Sequence, residues 1–178
     1  MHYLGVDLSF AKSGVAVLSV KNGKPKIEHL RLAKPNPKDS DGENRETYER
    51  IDEMVTEIKY IANKYNVQEI AKEESLVGRA STATNVLKTH GVLEDTFKHR
   101  FKIEGIHSST IKAWARRVTG IDKVTKENKK TIVAEAVEKY FGEKIEGLWT
   151  PRGALIDDIA DAIAVMIIWL EKNDIIEK

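Results

Sequence analysis

Apolar residues fill almost every position of 2–8 (HYLGVDL) and of 14–18 (GVAVL). Short unbroken runs of this kind, rich in Val and Leu and bounded by turn residues, predict strands. Three strands are expected at 2–9, 14–20 and 26–32, with Asn22-Gly23 as a hairpin signal between the second and third. Pro35 and Pro37 bar regular structure in AKPNPKDSDGEN. The period then changes. Ile51, Met54, Val55, Ile58, Ile61 and Ala62 recur at three- and four-residue intervals with Glu and Lys between them, which predicts a helix from Arg45 to Tyr65. VQEIAKEESLV (67–77) reads as a strand, RASTATNVLKTHGVLEDTF (79–97) as a helix with a break allowed at Gly91, and FKIEGI (101–106) as a fifth strand. Ser108-Ser109 can cap a helix running through Arg117 and ended by Gly120. IDKVTKE is a basic loop, 126–141 a helix stopped by Gly142, and 155–172 a last helix.

Three consecutive strands on short turns form an antiparallel meander, and the later strands, each separated by a helix, should pair in parallel. The expected fold class is α/β, a five-stranded mixed sheet with helices on both faces. A chain of 178 residues is sized for one domain.

Composition narrows the chemistry. With 41% hydrophobic and 32% charged residues the chain reads as globular and soluble. It has no cysteine, which excludes disulfides, thiolate metal sites and a Cys nucleophile. The N-terminus runs straight into a strand without a signal-like stretch, and the run from Ile159 to Leu170 is short for a bilayer and contains Asp161. The expectation is a cytoplasmic protein with no membrane partner. The net charge of +1 conceals an asymmetry: residues 98–130 hold ten Lys/Arg against three Asp/Glu, a local +7 that leaves −6 for the rest. A basic block beside an acidic remainder fits a polyanionic partner, and solvated helix faces are the plainer reading.

The acidic residues are the anomaly in the pattern. Asp7 interrupts an apolar strand, where an unpaired carboxylate is costly. In ALIDDIADAIAVMIIWL, Asp158 and Asp161 are three apart and share a helix face with Asp157, among core-type neighbours. A helix dipole accounts for acids in a first turn, but Asp161 lies one turn further in. In IAKEESL, Glu73 and Glu74 point to opposite sides of the sheet, so only one can meet a shared site. If these three segments converge, the crowded charge needs a cation, and oxygen-only ligands suit Mg²⁺ or Mn²⁺. Two ions could then activate water and stabilise a leaving oxygen on a phosphodiester.

LGVDLSFAKSGVAV, AKEESLV followed by a helix, and the terminal DDIADAIAVM together resemble the RuvC-like Holliday junction resolvases of the ribonuclease H-like fold, over nearly the whole chain. The resemblance implies a ribonuclease H-like fold and a crossover-junction endodeoxyribonuclease using magnesium or manganese, two ions per site. Asp7, Glu73, Asp158 and Asp161 match the catalytic metal ligands. It implies a homodimer, joined through the helix at about 79–90, that nicks two opposing strands of a four-way junction and leaves 5′-phosphates. Lys112 and Lys130 resemble residues that grip phosphate, with Arg116, Arg117 and Lys129 as neighbours for the same task, and Leu76 falls where the family often carries an aromatic against an unpaired base. The loops suit a phage or prophage member, which would work in a host's cytoplasm. A broader flap or fork nuclease would use the same site. DLSFAKSGVA also resembles the first phosphate loop of actin-like sugar and acetate kinases, although the chain is short for their paired domains. Trp114, Trp149 and Trp169 are expected to pack, and His107 to be an ordinary polar residue at a strand end.

Overall fold

The computed structural model describes residues 1–74, 80–129 and 131–177. Five strands, β1 (His2–Asp7), β2 (Ser13–Lys21), β3 (Lys24–Ala33), β4 (Val67–Glu74) and β5 (Glu104–His107), form one sheet in the order β3-β2-β1-β4-β5. The β1–β2 and β2–β3 pairs are antiparallel, and β1–β4 and β4–β5 are parallel. Asn22 and Gly23 both take positive φ (53° and 73°), the geometry that lets a two-residue turn follow the twist of β2 and β3.

Alternation along the strands divides the core. Leu4, Val6 and Leu8 of the first segment, with Val15 and Val17, face α1 (Thr47–Lys64) and α2 (Ala80–Phe97). Tyr3, Ala16, Leu18 and Ala71 face α3 (Ser108–Thr119), α4 (Ile132–Phe141) and α5 (Asp157–Lys172). The helix α5 lies between the sheet on one side and α3 and α4 on the other. Twelve of its sixteen residues are buried, which is why it is apolar all round rather than along one stripe. Each Ile, Val, Leu or Met so covered contributes roughly 1.5–3 kcal/mol.

Several boundaries differ from those the sequence suggests. The fifth strand begins at Glu104, because Arg100 and Phe101 donate their N–H groups to the Phe97 carbonyl and Phe101 packs on the Phe97 ring, 5.6 Å between centroids. The helix expected from Lys126 begins at Ile132. Before it, Thr125 and Asn128 exchange side-chain and backbone hydrogen bonds (2.7 and 3.3 Å) and close a separate turn. Gly91 does not break α2, which runs through it. Among the described residues no helix is long and apolar enough to cross a membrane.

Candidate metal and nucleic-acid site

Two glycines decide where the last helix lands. Gly5 and Gly14 sit on neighbouring strands with their Cα hydrogens toward α5, and any Cβ there would overlap backbone: Ala162 O above Gly5, Asp158 O above Gly14. Glycine inside a strand commonly marks such a close approach. The first turn of α5 therefore rests directly over the end of β1, and Asp158 and Asp161 come with it.

Asp7 ends β1 on the face of Tyr3 and Gly5, the α5 side. In the parallel register Gly5 pairs with Ala71 and Val6 with Lys72, so Glu73 shares the Asp7 face and Lys72 the other. Carboxylate oxygens of Asp7, Glu73 and Asp161 lie within 4.8 Å of one another. Among the described residues no other three His, Asp or Glu side chains meet in this way. Glu74 turns away and accepts from His107 Nε2 at 2.9 Å.

Three like charges this close cannot all ionise freely. Burial raises the Asp7 carboxyl well above the usual range, and the charges of Glu73, Asp161 and Asp158 raise it further. Asp161 is pushed up to about 7, by burial first and then by Glu73, Asp157 and Asp158. Burial also raises Glu73, against the opposing pull of its hydrogen bond with Asp7 and of the Lys112 charge. Burial and like charge thus favour the protonated over the ionised forms of Asp7 and Glu73.

Asp158 has a different arrangement. It stands outside the group of three and pairs with the Lys12 ammonium, which also lies 3.5 Å from Asp157. Beside the carboxylates opens a cleft of about 290 Å³ whose lining includes Glu73, Ser108, Lys112, Lys129, Asp157 and Asp161. Acidic and basic side chains thus line the same cleft.

The remaining sequence candidates divide. Lys112 and Lys129 line the cleft. Arg116 is exposed on α3. Arg117 is not brought to the carboxylates, because it pairs with Glu171 at 2.5 Å, near the far end of α5. Ten residues separate Glu171 from Asp161, about 15 Å along a helix. Leu76 and Lys130 lie outside the described residues. Trp114 is buried against Tyr140, and Trp169 packs on Tyr3 while its indole N–H donates to Glu104 at 3.1 Å. Trp149 departs from the packing expected of it. It is 37% exposed and donates to Glu138 at 2.9 Å. In the sequence Gly5 and Gly14 read as strand residues, and Lys12 falls between the first two strands. The available signal was glycine in an apolar strand interior.

No family model matches the chain. It is 27% identical over 103 residues to the crossover junction endodeoxyribonuclease RuvC of Prochlorococcus marinus strain MIT 9313, an alignment covering 58% of this chain and 62% of that relative's length. It is 26% identical over 173 residues to the enzyme of the same name from Synechococcus sp. strain CC9605, covering 97% of this chain and all of that one. The structure of Thermus thermophilus RuvC superposes with a TM-score of 0.72 at 18% identity, over 98% of this chain and 97% of the other. The chain is similar in sequence to RuvC enzymes and shares the fold of the Thermus protein. Its five-stranded mixed sheet is the ribonuclease H-like fold of the RuvC resolvases. The Thermus protein has also been solved in complex with a Holliday junction substrate, and that structure superposes with a TM-score of 0.69.

Proposed function

We propose that this RuvC-like chain is a divalent-metal-dependent endodeoxyribonuclease that resolves four-way DNA junctions. The observation that carries the proposal is the meeting of Asp7, Glu73 and Asp161, from three distant segments, beside a cleft that is also lined by Lys112 and Lys129. The likeness to proteins named crossover junction endodeoxyribonucleases supports it.

The donor set fits Mg²⁺ or Mn²⁺. It is all oxygen, it is crowded enough to retain protons, and it carries no soft ligand. Asp7, Glu73 and Asp161 would hold one ion, and Asp158 would extend the set toward a second. Ions held there supply Lewis acidity, lowering the pKa of water and stabilising charge on the leaving oxygen. The protein's part is positional. The two glycines press α5 onto the sheet and hold its acids above Asp7. Lys112 and Lys129 bind the DNA backbone beside the acids and orient the scissile phosphate toward them. Lys130 and Leu76 extend this contact in the same reading, the first on the backbone and the second at an unpaired base. Binding through several lysines makes affinity fall steeply with salt.

The chain acts as a homodimer in this proposal, with two sites for two nicks on a two-fold junction. Exposed apolar side chains on α1 and α2 support this: Tyr48 and Val92, 68% and 39% exposed, line a groove of about 900 Å³ on the sheet face away from the carboxylates, and Leu87 of α2 is 48% exposed.

The test is cleavage of a synthetic four-way junction with Mg²⁺, beside flap, fork and linear duplexes. Paired symmetric nicks in the junction alone are expected. Equal cutting of flaps and forks would make the enzyme a general branched-DNA nuclease, and absence of cutting with any divalent ion would refute the proposal.

A further inference from the structure

Among the described residues, Lys12 is the cation paired with the two acids of the first turn of α5, Asp157 and Asp158, and its own turn is hydrogen-bonded in place. Ser9 Oγ donates to the Lys12 carbonyl at 2.5 Å, Ser9 N–H donates to Ser13 Oγ at 3.1 Å, and the Ser13 hydroxyl returns a bond to the Ser9 carbonyl at 3.1 Å. This closed loop follows directly on Asp7 and leads into Gly14, on which Asp158 rests. The Lys12 ammonium meets Asp158, whose side chain is only 12% exposed, and lies 3.5 Å from Asp157. Asp158, so paired, stands outside the group formed by Asp7, Glu73 and Asp161.

Charge balance gives this contact a consequence. In the metal-free protein the Lys12 ammonium is the ion-pair partner of Asp158, while Lys112 and Lys129 line the cleft beside Glu73 and Asp161. A divalent ion that takes Asp158 must first displace the ammonium. Lys12 then carries an uncompensated charge at the rim of the cleft, on a four-carbon stem long enough to reach a phosphate.

We infer that Lys12 is an internal counter-ion of the site, which holds Asp158 while metal is absent and moves to the DNA phosphate backbone once metal takes Asp158. The inference rests on the metal-nuclease reading above. It makes Lys12 a coupling element. Lys12 weakens metal binding to the free protein and strengthens DNA binding to the metal-loaded protein, two effects linked by reciprocity.

The test compares wild type with Lys12→Met, which keeps the stem and removes the charge, and with Lys12→Arg, which keeps the charge. Mn²⁺ binding to the DNA-free protein is measured by calorimetry. Junction binding is measured in EDTA and in Ca²⁺, with intact DNA verified after each titration. Lys12→Met is expected to bind Mn²⁺ at its weaker site about fivefold or more tightly. It is expected to lose junction affinity several-fold in Ca²⁺ and to match wild type in EDTA, with Lys12→Arg close to wild type throughout. Unchanged Mn²⁺ affinity in Lys12→Met, or an equal loss of junction affinity with and without metal, would overturn the inference and leave the nuclease reading standing. A wild-type protein that binds no Mn²⁺ would overturn both.

Discussion

The same two strand ends carry two polar clusters, one on each face of the sheet, and they are built oppositely. On the α2 side, Lys72 is 7% exposed and meets His90 Nδ1 at 2.8 Å and Glu94 at 3.1 Å. His90 Nε2 lies 3.3 Å from the Leu8 carbonyl. Burial, and then the Lys72 charge, lower the His90 pKa, so the ring stays neutral, accepting from Lys72 and donating to Leu8. The Lys72 charge is balanced by Glu94, whose side chain is 54% exposed at the rim of this cluster. On the α5 side, one residue away in each strand, Asp7 and Glu73 face Asp161 and repel it. Both clusters are costly to bury. The first is self-contained and needs nothing further, whereas the second is satisfied only by protons or by an added cation. A buried charge alone therefore does not mark a site; an uncompensated group of like charges does.

The largest difference between the two faces should appear in activity. Asp7→Asn removes a proposed direct ligand. Changes to residues that merely support metal ligands cost 10–100-fold, so this one should lower junction cleavage by more than about 100-fold. Junction binding measured without metal should remain within about twofold of wild type, since Asp7 contacts no phosphate in this scheme. Cleavage at the wild-type rate would dissolve the distinction between the faces.

Next in size is the seating of α5. A methyl group at Gly14 would overlap the Asp158 carbonyl, and α5 would have to lift. Overpacking of this kind costs about 1–3 kcal/mol. Gly14→Ala should lower the Tm by several degrees and weaken Mn²⁺ binding as well. The same change at Gly91, in α2 with open space around it, should raise stability by up to about 1 kcal/mol.

Substitutions within the two clusters should move stability in opposite directions. Lys72→Met leaves His90 Nδ1 without its donor and should destabilise by about 1–3 kcal/mol while leaving Mn²⁺ affinity unchanged. Asp161→Asn relieves repulsion and should stabilise the metal-free protein while weakening Mn²⁺ binding. If both changes destabilised the metal-free fold equally, the contrast in charge balance would be refuted.

The contrast also predicts a pH dependence. The folded protein holds the Asp161 proton up to about pH 7, whereas the unfolded chain releases it near 4. Between these values the folded state binds more protons, so metal-free stability falls as pH rises through the interval and levels off above it. Asp161→Asn should flatten that slope in denaturant titrations, and saturating Mn²⁺ should reduce it by displacing the proton.

Much of this was legible in the chain. Strand and helix periods gave the meander and the helices, and acids stood out in DDIADAIAVM because an otherwise buried helix leaves them no ordinary role. Glu73 and Glu74 could be separated by face but not assigned, since the choice depends on the β1–β4 register, a long-range pairing. Lys72 occupies a strand position that local pattern leaves apolar, and its partners lie eighteen and twenty-two residues further along. Lys12 sits in a turn, where no periodicity reports on a residue's direction. Arg117 read as part of one basic block, yet rotation along α3 turns it toward Glu171.

Crystals soaked in Mn²⁺ and measured at the manganese absorption edge would show whether the acids on these three segments form one cation site. An anomalous peak bonded to Asp7, Glu73 and Asp161 is the expected result, with a second peak at Asp158 and the Lys12 side chain withdrawn. A map with no peak among these carboxylates at saturating Mn²⁺, or with Asp7 remote from α5, would contradict it.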